Sequence, residues 1–128
     1  MRTDDFQETV DNQISSDTRE LLDGLESYAI PKYMHHSIVR YVMEGRQAGD
    51  FLSAIFRNDF RESCIRADAE NRKALRDYAM MLYNLVPGKC WGPQQSKAWI
   101  ESGGKRGVYL LQRESYLKAG GSTEREDG

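Results

Sequence analysis

The chain has 128 residues, 39% of them hydrophobic and 30% charged, with a formal net charge of −2, and these values are typical of one folded globular domain. Its two cysteines, Cys64 and Cys90, have no second Cys or His at ligand spacing, which argues against a disulfide framework or a zinc motif. No apolar run is long enough to span a membrane, and the acidic start of the sequence is unlike a signal peptide. We therefore expect a cytoplasmic protein.

The charges are distributed unevenly along the chain. Residues 1–30 hold two basic and eight acidic residues, a net of −6, whereas residues 31–118 hold fifteen basic and nine acidic residues, a net of +6. Residues 119–128 hold one basic and three acidic residues, a net of −2. A basic body between acidic ends either binds an anion or is neutralised by its own acidic segment.

The first predicted element is a short helix that follows a flexible segment. Residues 1–15 show no sustained hydrophobic period, so we predict a flexible acidic arm. A helix is then expected to begin after Ser16 or Asp17 and to run through Leu25, with Glu20 completing a capping box.

The middle of the chain shows clear helical patterns. Pro31 suits the first turn of a helix that ends at Gly45, and residues 51–67 form one helix, or two if Asn58 and Asp59 begin a second. Asp68 is the expected N-cap of the next helix, which stops at Pro87-Gly88.

The end of the chain is less clearly patterned. A short helix is expected before Gly103-Gly104, and residues 107–112 are compatible with either helix or strand. Residues 119–128 are polar and are predicted to form a disordered tail. Together these patterns predict an all-α fold, a compact bundle of about five to six short helices forming a single domain over residues 16–118.

The sequence offers little for catalysis or metal binding. His35 and His36 are the only histidines, and adjacent residues on a helix point about 100° apart, so the two cannot share one metal ion. No phosphate-binding loop of the Walker type and no dinucleotide-binding glycine pattern is present, although residues 103–107 are basic and rich in glycine. We expect no catalytic site, no metal and no cofactor.

Arginines concentrate in one segment of the chain. Over residues 57–76 arginine outnumbers lysine five to one, and guanidinium groups favour planar, bidentate recognition of phosphates and carboxylates. The alternative is local capping and pairing within the helices. Trp91 lies in a loop bounded by Gly and Pro, where its ring either pins the loop to the body or lines a pocket. The predicted ligand-binding residues are Arg57, Arg61, Arg66, Arg72, Asn58, Asn71, Trp91 and Tyr83.

A family resemblance covers about residues 30–100. It rests on short groups of residues, which are Ile30-Pro31, Tyr41-Val42, Gly49-Asp50-Phe51-Leu52, Asn58-Asp59-Phe60, Arg66-Ala67-Asp68, Asn71, Leu82-Tyr83-Asn84, Cys90-Trp91-Gly92 and Trp99. In these groups the chain resembles a widespread family of small bacteriophage and prophage proteins. The resemblance implies a phage origin, a small helical fold and no enzymatic activity.

Taken together, these features predict a non-enzymatic phage protein acting in the host cytoplasm against bacterial defence. The leading hypothesis is sequestration of an anionic nucleotide immune signal, and the alternative is a protein–protein inhibitor or adaptor acting on a host protein. The spread of positive charge and the acidic arm argue against binding of duplex nucleic acid. A homo-oligomer is possible, because small helical domains often build a pocket between subunits.

Overall fold

The computed structural model describes residues 3–119, and their side chains from residue 7 onward. These residues form eight α-helices and two short 3₁₀ turns and contain no strand, which confirms the all-α prediction. None of the described helices is both long enough and apolar enough to cross a bilayer. The helices are α1 (Thr3–Leu25), α2 (His35–Glu44), α3 (Asp50–Phe56), α4 (Phe60–Arg66), α5 (Ala69–Lys73), α6 (Leu75–Asn84), α7 (Pro93–Ser102) and α8 (Gly104–Lys118).

More helices form than the sequence patterns predicted, because two segments are broken. Between α3 and α4, Asn58 adopts a positive φ of 61°, and the Asp59 carboxylate accepts a hydrogen bond from the Glu62 backbone N–H at 3.1 Å. The segment after Asp68 is divided at Ala74 into α5 and α6. Asp68 caps α5 as predicted. The strand alternative for residues 107–112 is wrong, since these residues lie within α8.

The predicted flexible arm is wrong for the residues that the structure describes. Helix α1 begins at Thr3 rather than after Ser16, and Val10 and Ile14 are buried in the core. Asp17 therefore lies in the middle of a helix and does not cap one. A helix whose buried residues recur every three or four positions needs no cap at residue 17 to form. Apart from Ala119, the predicted tail at 119–128 lies outside the described residues.

The core is organised around α2, which packs against α1 and α8. Its Tyr41 is almost fully buried, stacks on Phe56 with ring centroids 3.9 Å apart, and donates a hydrogen bond to the Cys90 carbonyl at 2.6 Å. The Trp99 indole N–H on α7 donates to the carbonyls of Tyr41 and Val42 at 3.1 and 3.2 Å. These bonds satisfy buried polar groups and attach both α7 and the loop before it to α2.

The end of α2 and the start of α8 meet backbone to backbone. Gly45 ends α2 in the left-handed conformation (φ 67°), and Gly104 begins α8 with φ 70°. A Cβ atom on Gly104 would lie 2.4 Å from the Gly45 nitrogen, and one on Gly45 would lie 2.7 Å from the Gly104 nitrogen. Only glycine permits both the conformation and the approach.

Helix α1 is expected to be part of the folded core, and an Ile14→Ala substitution tests this. Because Ile14 is buried, the substitution should lower the free energy of unfolding by about 2–5 kcal/mol. Urea unfolding followed by circular dichroism measures the change. Ser15→Ala, one position along and exposed, should change it by less than about 0.5 kcal/mol. Equal stability of the two variants would contradict the buried placement of α1.

The contact between Gly45 and Gly104 predicts a strong effect of a single added methyl group. Gly104→Ala should destabilise the protein by at least about 2 kcal/mol, because the backbone strain of a positive φ adds to the steric clash with Gly45. Gly88→Ala is the matched control, since its Cβ would meet no atom within 4 Å. Thermal unfolding of both variants checks this, and a Gly104→Ala protein as stable as the control would refute it.

Candidate functional site

The residues predicted to bind a ligand do not form one pocket. Arg57 lines a cavity between α3 and α7, Asn58 lines a second between α4 and α6, and Arg66 and Asn71 line a third beside Tyr33. The predicted pocket lined by arginines 57–76 is therefore divided, because the turns after α3 and α4 send these side chains to different faces.

The third cavity shows the local pairing that the sequence left as an alternative. Arg66 pairs with Glu62 at 3.2 Å and with Asp50 at 3.4 Å. The hydroxyl of Tyr33 donates to Asp68 at 2.7 Å, and this bond lowers the pKa of the Asp68 carboxyl. Asn71 is buried and accepts from the Tyr78 hydroxyl at 2.7 Å. Arg66, Asp68 and Asn71, at the joint between α4 and α5, thus have structural partners on α3, on the 3₁₀ turn before α2 and on α6.

The two aromatic residues of the prediction have different surroundings. Trp91 is partly buried and packs against the hydrophobic core, so its ring pins the loop before α7 to the body, one of the two roles open from sequence. Its indole Nε1 is buried without a hydrogen-bond partner among the described residues. Tyr83 is 81% exposed on α6. The two rings do not line a common cavity with the arginines.

The acidic first helix neutralises part of the basic body. Asp17 of α1 is buried, and its carboxylate accepts hydrogen bonds from Gln13, from the Tyr109 hydroxyl and from the Lys105 ammonium, whose Nζ lies 3.3 Å away. Asp11 pairs with Arg106. Three of these partners lie on α8. The chain's own acidic segment therefore neutralises Lys105 and Arg106, two cations of the basic region.

These contacts shift two pKa values in opposite directions. Burial raises the pKa of Asp17, but the hydrogen bonds from Tyr109 and Gln13 and the charge of Lys105 outweigh it, so the pKa lies below its ordinary value. Burial and the hydrogen bond to Asp17 raise the pKa of Tyr109 to about 12. At neutral pH the carboxylate is charged and the phenol is a hydrogen-bond donor.

The histidines and cysteines are engaged in the fold or isolated from each other. His35 is buried and donates from Nε2 to the Ile30 carbonyl at 3.1 Å, while the exposed His36 accepts from Arg40. Burial raises the pKa of the Cys90 thiol to about 12, so it is protonated at neutral pH and a poor nucleophile. No group of three or more His, Cys, Asp or Glu side chains in residues 7–119 is arranged to hold a metal ion.

One cavity combines two cations with an apolar floor. We call it the Arg57–Lys97 cleft; it has a volume of about 380 Å³, and its lining includes Tyr41, Phe56, Arg57, Ser96, Lys97 and Ile100. Each of the four other cavities described has a single cation in its lining, which is Arg113, Arg76, Lys105 or Arg66. The largest of them, a groove of about 720 Å³ between α1 and α8, is bordered by side chains that already have interactions, Thr9, Arg113 and Tyr116.

The cations of the Arg57–Lys97 cleft are weakly held by the rest of the protein. Arg57 contacts Asp59 at 3.6 Å in an exposed pair, and pairs of this kind contribute little to stability. Lys97 is exposed and forms no ion pair with any residue that the structure describes. Glu101 is the one carboxylate in the lining. Both cations are available to an incoming anion.

The first turn of α7 adds a hydroxyl group and the positive end of a helix dipole to this cleft. Pro93 and Ser96 line it; Pro93 has no N–H, and the Ser96 N–H donates to the Gly92 carbonyl at 2.9 Å. Ser96 is 6% exposed, and its hydroxyl has only a long contact of 3.5 Å to the Pro93 carbonyl. A buried hydroxyl with so weak a partner is ready to bond a ligand.

Sequence reasoning found Arg57 but missed Lys97 and Ser96. The signal for them was the helix start at Gly92-Pro93, because Ser96 and Lys97 are the fourth and fifth residues of α7 and so lie near the positive end of its dipole. No protein-family model, curated protein or solved structure matches this chain. The resemblance to phage proteins therefore stays a prediction, and the functional case rests on the geometry.

The network at Asp17 predicts a pH-dependent contribution to stability. Asp17→Asn should destabilise the protein by about 1–3 kcal/mol at neutral pH, because the ion pair with Lys105 is lost. A lowered folded-state pKa stabilises above the unfolded value and ceases to do so as pH falls through the folded value, so the difference from wild type should shrink below about pH 4.

Unfolding in urea at a series of pH values measures this difference. Asp23→Asn, an exposed carboxylate on the same helix, is the control and should change stability little at any pH. A difference for Asp17→Asn that stays constant through the acid range would show that the carboxylate charge is not what stabilises the contact.

Proposed function

We propose that this protein binds an anionic small molecule, of nucleotide type, in the Arg57–Lys97 cleft and holds it without chemical change. The observation that carries the proposal is the juxtaposition, in one cavity, of two available cations with the buried Ser96 hydroxyl at the N-terminal end of a ten-residue helix. Cations and helix N-termini both favour phosphate groups, and they reinforce each other when directed at one ligand.

The dimensions and lining of the cleft suit a ligand with an apolar part. Its volume of about 380 Å³ lies at the lower end of the range for small-molecule sites, which fits a ligand of mononucleotide size. Ile100 is the partly exposed residue of the apolar floor, whereas Tyr41 and Phe56 are almost fully buried, and the Ser96 hydroxyl supplies a hydrogen bond. A nucleotide whose phosphate contacts Arg57 and Lys97 and whose nucleobase lies over the apolar floor uses both the charged and the apolar part of the cleft.

Sequestration is the function that this site supports best. The thiol and imidazole groups described above lie outside the lining, so the polar groups offered to a phosphate are the two cations and the Ser96 hydroxyl. These groups hold phosphate well, and retention of a nucleotide signal requires binding alone. A phage protein that opposes nucleotide-based immunity would act in this way.

Isothermal titration calorimetry tests the proposal. The ligands are mononucleotides, cyclic mono- and dinucleotides and ADP-ribose, with inorganic phosphate as the size control. We expect at least one nucleotide to bind, and Lys97→Glu to weaken it about 10- to 100-fold, since a charge-assisted hydrogen bond contributes about 1.5–3 kcal/mol. Arg57→Ala should weaken it similarly.

The matched control is Lys89→Glu, which makes the same charge change on the 3₁₀ turn before α7, outside the lining of the cleft. It should leave the affinity within about twofold of wild type, apart from long-range charge effects that salt removes. No heat with any nucleotide at millimolar concentration, or equal affinity of the Lys97→Glu and wild-type proteins, would refute the proposal.

A further inference from the structure

The Arg57–Lys97 cleft contains one acidic side chain, that of Glu101, which binding of a phosphate does not explain. Glu101 is exposed, and its carboxylate has no hydrogen bond or ion pair with any side chain in the part of the chain that the structure describes. A carboxylate beside a phosphate opposes binding, because like charges repel each other. The carboxylate of Glu101 therefore has a separate role if the cleft holds a nucleotide.

Glu101 lies one helical turn from Lys97, on the face of α7 that lines the cleft. Four residues of helix correspond to a distance of about 6 Å along the axis. Lysine precedes glutamate here, which is the less favourable order for a pair four residues apart, and these two side chains form no ion pair. The cation and the carboxylate are therefore separately available to a ligand that spans this turn.

The position of Glu101 within α7 is unfavourable for a carboxylate. The helix ends at Ser102, and Gly103 follows in the left-handed conformation, so Glu101 lies in the last turn, which holds no basic residue. The C-terminal end of a helix is the negative end of its dipole, and an acidic side chain there destabilises the helix. Stability of α7 therefore does not explain Glu101. Residues that break a local rule of this kind are typical of functional sites.

An ionised carboxylate selects for hydrogen-bond donors, because it offers two acceptor oxygens and no donor. A nucleotide carries two kinds of donor, the hydroxyls of its ribose and the amino groups of its base. The hydroxyls belong to the same sugar ring that carries the phosphate, so they lie closer to the phosphate than the amino groups do. With the phosphate at Lys97 and the base over Ile100, one turn along α7 brings Glu101 to the ribose.

Resting on the proposed nucleotide binding, we propose that Glu101 determines the specificity of the cleft by accepting hydrogen bonds from the 2′- and 3′-hydroxyls of the ligand. The two oxygens of one carboxylate match two neighbouring hydroxyls. A ligand without these hydroxyls leaves the carboxylate without donors and close to the phosphate, and a site built to bond a hydroxyl rejects analogues that lack it. The ligands of the cleft are therefore ribonucleotides with both ribose hydroxyls free.

Isothermal titration calorimetry with matched nucleotides tests this proposal. The probes are the ribonucleoside 5′-monophosphates, their 2′-deoxy counterparts and the 3′,5′-cyclic monophosphates. The wild-type protein should bind the 2′-deoxy form about tenfold more weakly than the matching ribonucleotide, the effect of losing one hydrogen bond to a charged group. Glu101→Ala should weaken binding of the ribonucleotide about tenfold and leave the 2′-deoxy form within about threefold, so that the preference for ribose disappears.

Two other variants separate this role from general effects of charge. Glu8→Ala removes an exposed carboxylate of α1 that has no ion pair with any described residue, and it should change neither the affinities nor the preference by more than about twofold. Lys97→Glu should weaken binding of both sugar types by the same factor. Glu101→Ala should unfold at a urea concentration no lower than wild type, since it removes a negative charge from the negative end of α7.

The outcomes distinguish failure of this proposal from failure of nucleotide binding. If no nucleotide binds, the proposed function is wrong and this proposal with it. Equal wild-type affinity for both sugar types, or equal losses for both in Glu101→Ala, would refute the role of Glu101 and leave binding in the cleft intact. A Glu101→Ala protein that changes its preference among bases but not between sugars would place the carboxylate beside the base. Binding confined to 3′,5′-cyclic nucleotides, whose 3′-oxygen is esterified, would also overturn the assignment.

Discussion

The contact between Gly45 and Gly104 sets the relative placement of α2 and α8, and through α8 that of α1. Because neither residue has a side chain, the end of α2 and the start of α8 approach until their backbones touch. Lys105 follows immediately and reaches Asp17, and Tyr109 reaches the same carboxylate one turn later. The close approach of Gly45 and Gly104 therefore places Lys105 and Tyr109 where they bond Asp17. Helix α1 is held to the bundle by these polar contacts and by its buried apolar face.

The same region of α2 also builds the proposed nucleotide site. The indole N–H of Trp99 bonds to the carbonyls of Tyr41 and Val42, which fixes α7 against α2. Tyr41 in turn stacks on Phe56 at the end of α3. The floor of the Arg57–Lys97 cleft and the first turn of α7 are therefore positioned by core contacts, and a site on rigid elements of this kind is pre-organised for its ligand.

The end of α3 contributes to two cavities. Ile55 lines the cavity between α4 and α6, whereas Phe56 and Arg57 line the Arg57–Lys97 cleft. Neighbouring residues on a helix point about 100° apart, so the end of α3 contributes to two faces of the molecule. The turn at Asn58, with its positive φ, then redirects the chain so that Phe60 begins α4 and lines the cavity between α4 and α6.

Charge pairing explains why the regional charge count was only a partial guide to the site. The net of +6 over residues 31–118 includes Lys105 and Arg106, which the acidic helix α1 neutralises, and Arg66, which has two carboxylate partners. The cations of the proposed site are ones that the fold leaves weakly paired or without an ion pair: Arg57 has one exposed pair with Asp59, and Lys97 forms none with any described residue. The arginine-rich pattern alone did not separate Arg57 from the paired arginines.

The sequence by itself determined the helical class and many helix boundaries, because these depend on local properties. Apolar spacing, the caps at Asp59 and Asp68 and the stop at Gly45 act within a few residues. Only the tertiary structure decided that residues 7–15 belong to a helix and that the arginines of 57–76 separate onto different faces. Val10, Ile14, Leu21 and Leu25 do recur at helical spacing, but the buried Asp17 among them depends on Lys105 and Tyr109 of α8, about ninety residues away, and no local pattern encodes so distant a partner.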